Sequence, residues 1–239
     1  MLNVFLTIIQ IIAAFTGVAL IYRYFGKLGA FVAAAILTLF ANIEVASLVE
    51  YFNWPWLVVS LGNVAFVGVN MCQDLLNENE GGERVARHTV WLSFTTSVLV
   101  VILSQISLHY IPTVGSVEVH DAFATVMGYF GSVTIISLCT FLISNTINVK
   151  LYAFFSKYTK KIWIRSQAST WISQLADTVI LTVVCAIFGI FPWSAVLGLI
   201  LTTYLIKGLC MVMEIPFLYW VKDMKTKGRV RDVLALSKQ

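Results

Sequence analysis

From Asn70 to Trp91 the chain reads NMCQDLLNENEGGERVARHTVW, with Asp74, Glu78, Glu80 and Glu83, the amides Asn70, Gln73, Asn77 and Asn79, and the arginines Arg84 and Arg87 packed into one short piece. Long apolar segments press against both of its ends. A chain looks like this where it leaves a bilayer, turns and re-enters. The rest of the sequence supports that reading, because a mean hydropathy of +0.86 with 59% hydrophobic and only 12% charged residues over 239 residues cannot furnish a soluble domain with a polar surface. A span of the hydrocarbon takes about 20 mostly apolar residues, and the sequence predicts seven, roughly Leu2 to Tyr22, Leu28 to Val49, Pro55 to Cys72, His88 to Tyr110, Phe123 to Val149, Ala168 to Phe191 and Trp193 to Val221. The runs are continuous, not alternating, which excludes a transmembrane β-barrel. The expected fold is all-α, a polytopic helix bundle of about seven transmembrane helices.

Lysine and arginine set the expected orientation, since positive charge concentrates in cytoplasmic loops. Arg23 and Lys27 follow the first span, Arg84 and Arg87 the third, Lys150, Lys157, Lys160, Lys161 and Arg165 the fifth, and a run from Lys222 to Lys238 the seventh. The loops after spans two, four and six have none. The N-terminus is therefore expected outside and the C-terminus inside. Tryptophans in NWPWL (53–57) and FPWS (191–194) fall at two outer helix ends, where amphipathic rings belong. The net charge of +4 reports membrane topology and no nucleic-acid surface, and the basic tail would meet anionic headgroups.

The first span follows Met1 without a charged leader or a small-residue cleavage site, so it is expected to remain attached. Cys72, Cys139, Cys185 and Cys210 lie in or beside spans without metal-ligand spacing, and His88, His109 and His120 are solitary. Neither a metal nor another cofactor is expected. No P-loop, nucleophile elbow or HExxH occurs, so the residues point to neither an ATPase nor a hydrolase.

The informative residues are those a bilayer should exclude, because a charge at its centre costs about 2.5 to 3.5 kcal/mol on the mildest scale. The second span holds Asn42 and Glu44. The third holds Asn63 and Asn70, and its stripe runs on into Asp74, Asn77 and Glu78; the fifth holds Asn145 and Asn148. The sixth carries Gln174 and Asp177 three residues apart on one face, and the seventh carries Tyr204, Lys207 and Glu214, with the last two about two turns apart on one face. Asn63, Asn145 and Asn148 can equally join helices by interhelical hydrogen bonds. Glu44 and Glu214 can equally be hydrated near a boundary. Asp177 and Lys207 must either pair or line a cavity. A polar wall facing a water-filled cavity explains why the polarity of the quoted stretch begins at Asn70, still inside its span.

That stretch, CQDLLNENEGGERVARHTVW, resembles the signature of the queuosine precursor transporters, also called the vitamin uptake transporter family. ANIEVA in the second span, STWISQLADTVI in the sixth and YLIKGLCMVMEIPFLYW in the seventh agree in order and spacing, so the resemblance covers about residues 28 to 222. It implies a six-helix transporter core over 28–222, an extra N-terminal helix and loop over 1–27, and a cytoplasmic basic tail over 223–239. The family's membrane polar residues correspond here to Asn42, Asp74, Glu78, Gln174, Asp177, Tyr204 and Lys207.

The resemblance further implies an inner-membrane importer of 7-deazaguanine derivatives or queuine, by secondary or facilitated transport, and no enzyme. A deazaguanine presents a ring N–H and an exocyclic amine as adjacent donors beside a carbonyl acceptor, so carboxylate, amide and amine groups complement it. Stacking on Trp171, Phe130 or Tyr204 is compatible with this. A coupling proton is expected on Asp177, Glu44 or Glu214. The alternatives are a substrate-binding membrane subunit, or an importer for another small polar heterocycle or vitamin. Gly128 and Gly131 offer small surfaces for a homodimer, although helices of one chain can use them as readily.

Overall fold

The computed structural model describes residues 2–45, 47–52 and 58–231, and the side chains of residue 58 and of 129–133 lie outside that description. Trp54, Pro55 and Trp56 therefore fall outside it, and of Phe130 and Gly131 only the helical backbone lies within it. The chain begins with α1, Leu2–Glu44, whose regularity fails once, at Gly26, with φ 57° and ψ −137°. Only glycine enters that region without a steric cost. The break reverses the chain. Eight residues of continuous helix would separate Ile21 from Gly29 by about 12 Å, yet a Cβ on Gly29 would lie 2.6 Å from the Ile21 carbonyl oxygen. At the far end Gln10 Nε2 donates to Glu44 Oε1 at 3.1 Å. The first two predicted spans thus exist as two antiparallel arms.

A short antiparallel hairpin follows, β1 Leu48–Glu50 with β2 Val58–Ser60, pairing Leu48 with Ser60 and Val49 with Val59. The predicted third span from Pro55 to Cys72 is displaced here. Its helix, α2, runs from Asn63 to Asn79, and Val58–Ser60 is strand. Hydropathy put the helix too early because α2 keeps its polar half inside the protein. Almost every residue from Asn63 to Leu76 is buried, and α2 packs against all five other helices.

The remaining elements are α3 Glu83–Ser107, a 3-10 turn at Val114–Ser116, α4 Val117–Phe155, α5 Ile162–Ile187 and α6 Trp193–Thr226. By length and composition five of the described helices, α1 among them, can cross a membrane; α2 does not qualify. The helix α6 runs past Val221 to Thr226, and Arg231 N–H donates to the Arg23 carbonyl, so the start of the basic tail is held against the Gly26 turn.

The bundle buries small and polar residues beside its apolar core and turns large apolar ones outward. Its interior carries Ala30, Ala33 and Ala34, the stripe Thr89–Ser93–Ser97, and Ser137, Ser144, Ser166 and Ser173, all buried. Leu197, Leu201, Leu205 and Leu209 stand 55 to 68% exposed along one face of α6. Lipid is as apolar as leucine, so close backbone approach and interhelical hydrogen bonds hold such helices together. Gly208 shows the closeness: a Cβ there would lie 2.5 Å from the Trp171 ring of α5. Gly128, by contrast, has nothing within 4 Å of its Cβ position among the described residues.

The basic residues that alternate along the sequence gather at one end of the bundle. The Gly26 turn, the turn between α2 and α3, the start of α5 and the end of α6 meet there. The β-hairpin and the α5–α6 loop lie at the opposite end, on the side of the cavity described next.

Candidate functional site: a polar column through the bundle

A cavity of about 100 Å³ runs from the hairpin side into the bundle, past Leu48, Ser60, Asn63 and Phe66, down to Asp177 and Lys207. At its floor the Lys207 ammonium of α6 donates to Asp177 Oδ2 of α5 at 2.6 Å, and Ser144 Oγ of α4 donates to Oδ1 at 2.8 Å. Lys207 is 2% exposed. A buried charge of either sign would be costly alone, so the pair satisfies both while keeping them within reach of a ligand. The neighbouring wall includes Ser137, whose hydroxyl donates to Asn42 Oδ1 at 3.0 Å.

An amide network lies deeper. Gln73 Nε2 donates to Asn145 Oδ1 at 2.7 Å, Asn148 Nδ2 donates to Gln73 Oε1 at 3.2 Å, and Thr170 and Ser173 reach Asn148 Oδ1 at 3.4 Å. These bonds join α2, α4 and α5. They support the helix-joining alternative for Asn145 and Asn148. Beside the network, Asn70, Asp74 and Asn77 form the expected stripe on α2, and among the described residues no hydrogen bond reaches their side chains. The Asp74 carboxylate acts electrostatically on Glu214 of α6. Glu214 is fully buried and, among the described residues, neither of its oxygens has a hydrogen-bond partner.

The column ends in ion pairs at the basic pole. Glu78 receives Arg165 at 2.8 and 3.1 Å, Lys222 at 3.2 Å and the Tyr152 hydroxyl at 3.2 Å. Glu80 receives Lys225 at 2.6 Å and the Tyr22 hydroxyl. These contacts tie α1, α2, α4, α5 and α6 together, so this end is closed while the cavity lies towards the other.

The expected site residues divide by depth. Asp177 and Lys207 meet at the cavity, with Asn42 one hydrogen bond behind its wall. Gln174 is buried one turn from Asp177, and its Oε1 has no partner. Tyr204 stands edge-on to Trp171 and donates to the Trp171 carbonyl at 3.1 Å, outside the cavity lining. Asn70, Asp74, Asn77 and Glu214 lie in the middle of the column. Glu78 belongs to the closed pole, and Glu44 pairs with Gln10 at the hairpin end. Lys207 and Glu214 are both buried, so Glu214 is not hydrated at a boundary, and the two do not pair.

Sequence reasoning missed Ser144, Gln73 and the structural role of Arg165. Serine in a span carries little signal, and Gln73 sits one position off the Asn70–Asp74 stripe. Arg165 reads as a loop cation, yet it lies in the first turn of α5 and is 9% exposed. Among the described residues no cluster of metal-ligating side chains occurs.

Comparison with known proteins agrees with this architecture. A family model described as "Putative vitamin uptake transporter" matches residues 60–221, from β2 to the last turns of α6. The "Probable queuosine precursor transporter" of Bacillus subtilis (strain 168) is 35% identical over 210 residues, which cover 87% of this chain and 89% of that protein. No solved structure matches. With the family model spanning most of the polar column, from Asn63 to Glu214, and a relative aligned along most of its length, the chain belongs to the vitamin uptake transporter family, as a multi-pass transporter of the cell membrane and not an enzyme.

Proposed function

We propose that this protein imports 7-deazaguanine precursors of the tRNA base queuosine, with Asp177 and Lys207 as the groups that read the base. The observation that carries the reading is the similarity to the Bacillus subtilis transporter along most of both chains. The cavity floor fits it chemically. A carboxylate accepts from the ring N–H and exocyclic amine of a deazaguanine, and an ammonium donates to its carbonyl. Such a ligand would replace each partner of the ion pair, so neither charge is left buried alone. A base lacking one of those groups would strand a charge, which is a strong source of selectivity.

A cavity of about 100 Å³ is smaller than the roughly 300 to 1,000 Å³ of ordinary ligand pockets. Admission of a heterocycle therefore requires the helices around it to part. Transport would alternate between this conformation, closed at the basic pole by the Glu78 and Glu80 contacts, and one closed at the hairpin end. We place the basic pole in the cytoplasm, following the positive-inside pattern. Of the three candidate acids for a coupling proton, Asp177 has Lys207 and Glu44 has Gln10, whereas Glu214 has no hydrogen-bond partner among the described residues and lies within electrostatic reach of Asp74. An acid held by neither a cation nor an amide among the described residues is the freest of the three to exchange a proton, which makes Glu214 the best supported of them.

The test is the queuosine content of tRNA in a bacterial strain that can neither make nor import the precursors, fed each precursor at low concentration with and without this gene. Restored queuosine is expected. Its absence, with the protein present in the membrane, would remove the deazaguanine assignment.

A further inference from the structure

Outside the column, a surface groove of about 520 Å³ lies between the second arm of α1 and the first turns of α3. Lys27 and Phe31 line one wall, and Arg84, Val85, His88 and Leu92 the other. Lys27 and Phe31 are one helical step of four apart, as are Arg84, His88 and Leu92, so each set shares a face. Every charged group of the lining is basic. Arg87, Arg165, Lys222 and Lys225 at this pole each have a carboxylate partner, but among the described residues Lys27 and Arg84 have none. The Lys27 ammonium stands 5.8 Å over the Phe31 ring, and His88 Nδ1 is engaged with the Arg84 carbonyl at 2.7 Å, which leaves its Nε2 available.

Below these cations the surface is apolar. Leu92, Leu99 and Leu103 continue the same face of α3, 41 to 54% exposed. One position round α1 from Lys27 and Phe31, a second groove of about 320 Å³ runs between the arms past Phe25, Leu28 and Val32, lined by no polar side chain. A cationic seat above two apolar troughs matches an amphiphile with an anionic head and two chains. Basic pockets of this kind between membrane helices suit anionic headgroups.

We propose that the groove binds an anionic glycerophospholipid, with its phosphate against Lys27, Arg84 and His88 and its acyl chains along the faces of α3 and α1. A zwitterionic lipid carries its own cation beside the phosphate and competes poorly for this seat. Free phosphate lacks the chains.

The test uses the purified full-length protein in a neutral detergent, with the unfolding midpoint followed against added phosphatidylglycerol, phosphatidylcholine or inorganic phosphate. Phosphatidylglycerol is expected to raise the midpoint saturably, and the other two are not. The double variant Lys27→Gln/Arg84→Gln should weaken the apparent affinity roughly thirty-fold, the equivalent of about 2 kcal/mol at about 1 kcal/mol per basic group. The control Lys157→Gln/Lys161→Gln removes the same charge from exposed, unpaired positions of the same pole and should leave the affinity unchanged. Leu92→Glu, at an exposed position, should abolish the effect by placing a negative charge in the groove. Equal weakening in both double variants, equal stabilisation by phosphatidylcholine, or the same effect from inorganic phosphate would overturn the proposal.

Discussion

The Asp177–Lys207 pair concentrates the tension between stability and function in two side chains. Removing one partner leaves the other buried without a counter-charge, which typically costs about 3 to 5 kcal/mol. Asp177→Asn is therefore expected to lower the unfolding midpoint and to abolish uptake. Asp177→Asn/Lys207→Met removes both charges and should recover most of the stability while leaving uptake abolished; recovery of uptake as well would show the pair to be structural. Glu214 behaves differently because, among the described residues, neither of its oxygens accepts a hydrogen bond. Glu214→Gln should leave the midpoint unchanged, and uptake should lose its dependence on the proton gradient at constant external pH. A variant that keeps the full gradient dependence would exclude Glu214 as the coupling group.

At the scale of elements, two glycines set how helices meet. Gly26→Ala places a side chain in a backbone conformation that L residues rarely adopt, at a cost of about 1 to 3 kcal/mol, and should lower the midpoint. Gly17→Ala, in the same helix with open space at its Cβ, should not. Gly208→Ala would push the Trp171 ring, which is held by a 3.0 Å bond from its Nε1 to Gln167 Oε1, and should loosen α5 from α6.

The elements also show how far the sequence can be read. The six long apolar stretches outside α2 found their helices because lipid-facing residues dominate their composition. The helix α2 was misplaced because burial inside the bundle lets it be polar, and because Val58–Ser60 is apolar yet forms a strand. Asp177 and Lys207 were legible as charges that need a partner. That they are each other's partner was not, because nothing in a sequence relates positions 30 apart on two different helices. The carboxylates of Glu78 and Glu80 and the cations of α5 and α6 likewise read as a solvated loop until the fold brought them together.

Over the whole molecule, the cavity lies towards the hairpin end and ion pairs close the basic end, as one of two alternating states would require. Cysteines introduced at Lys157 and Thr113, exposed positions at opposite ends of α4, should react with an impermeant thiol reagent only from the cytoplasm and only from outside, respectively. The reverse pattern would invert the proposed orientation. The measurement that bears most directly on the central claim is uptake of a radiolabelled 7-deazaguanine precursor into proteoliposomes containing this chain alone, compared with the Asp177→Asn/Lys207→Met variant. The account predicts saturable uptake by the unaltered protein, competed by unlabelled precursor, and none by the variant. Absence of uptake by the correctly folded unaltered protein, or equal uptake by both, would contradict it.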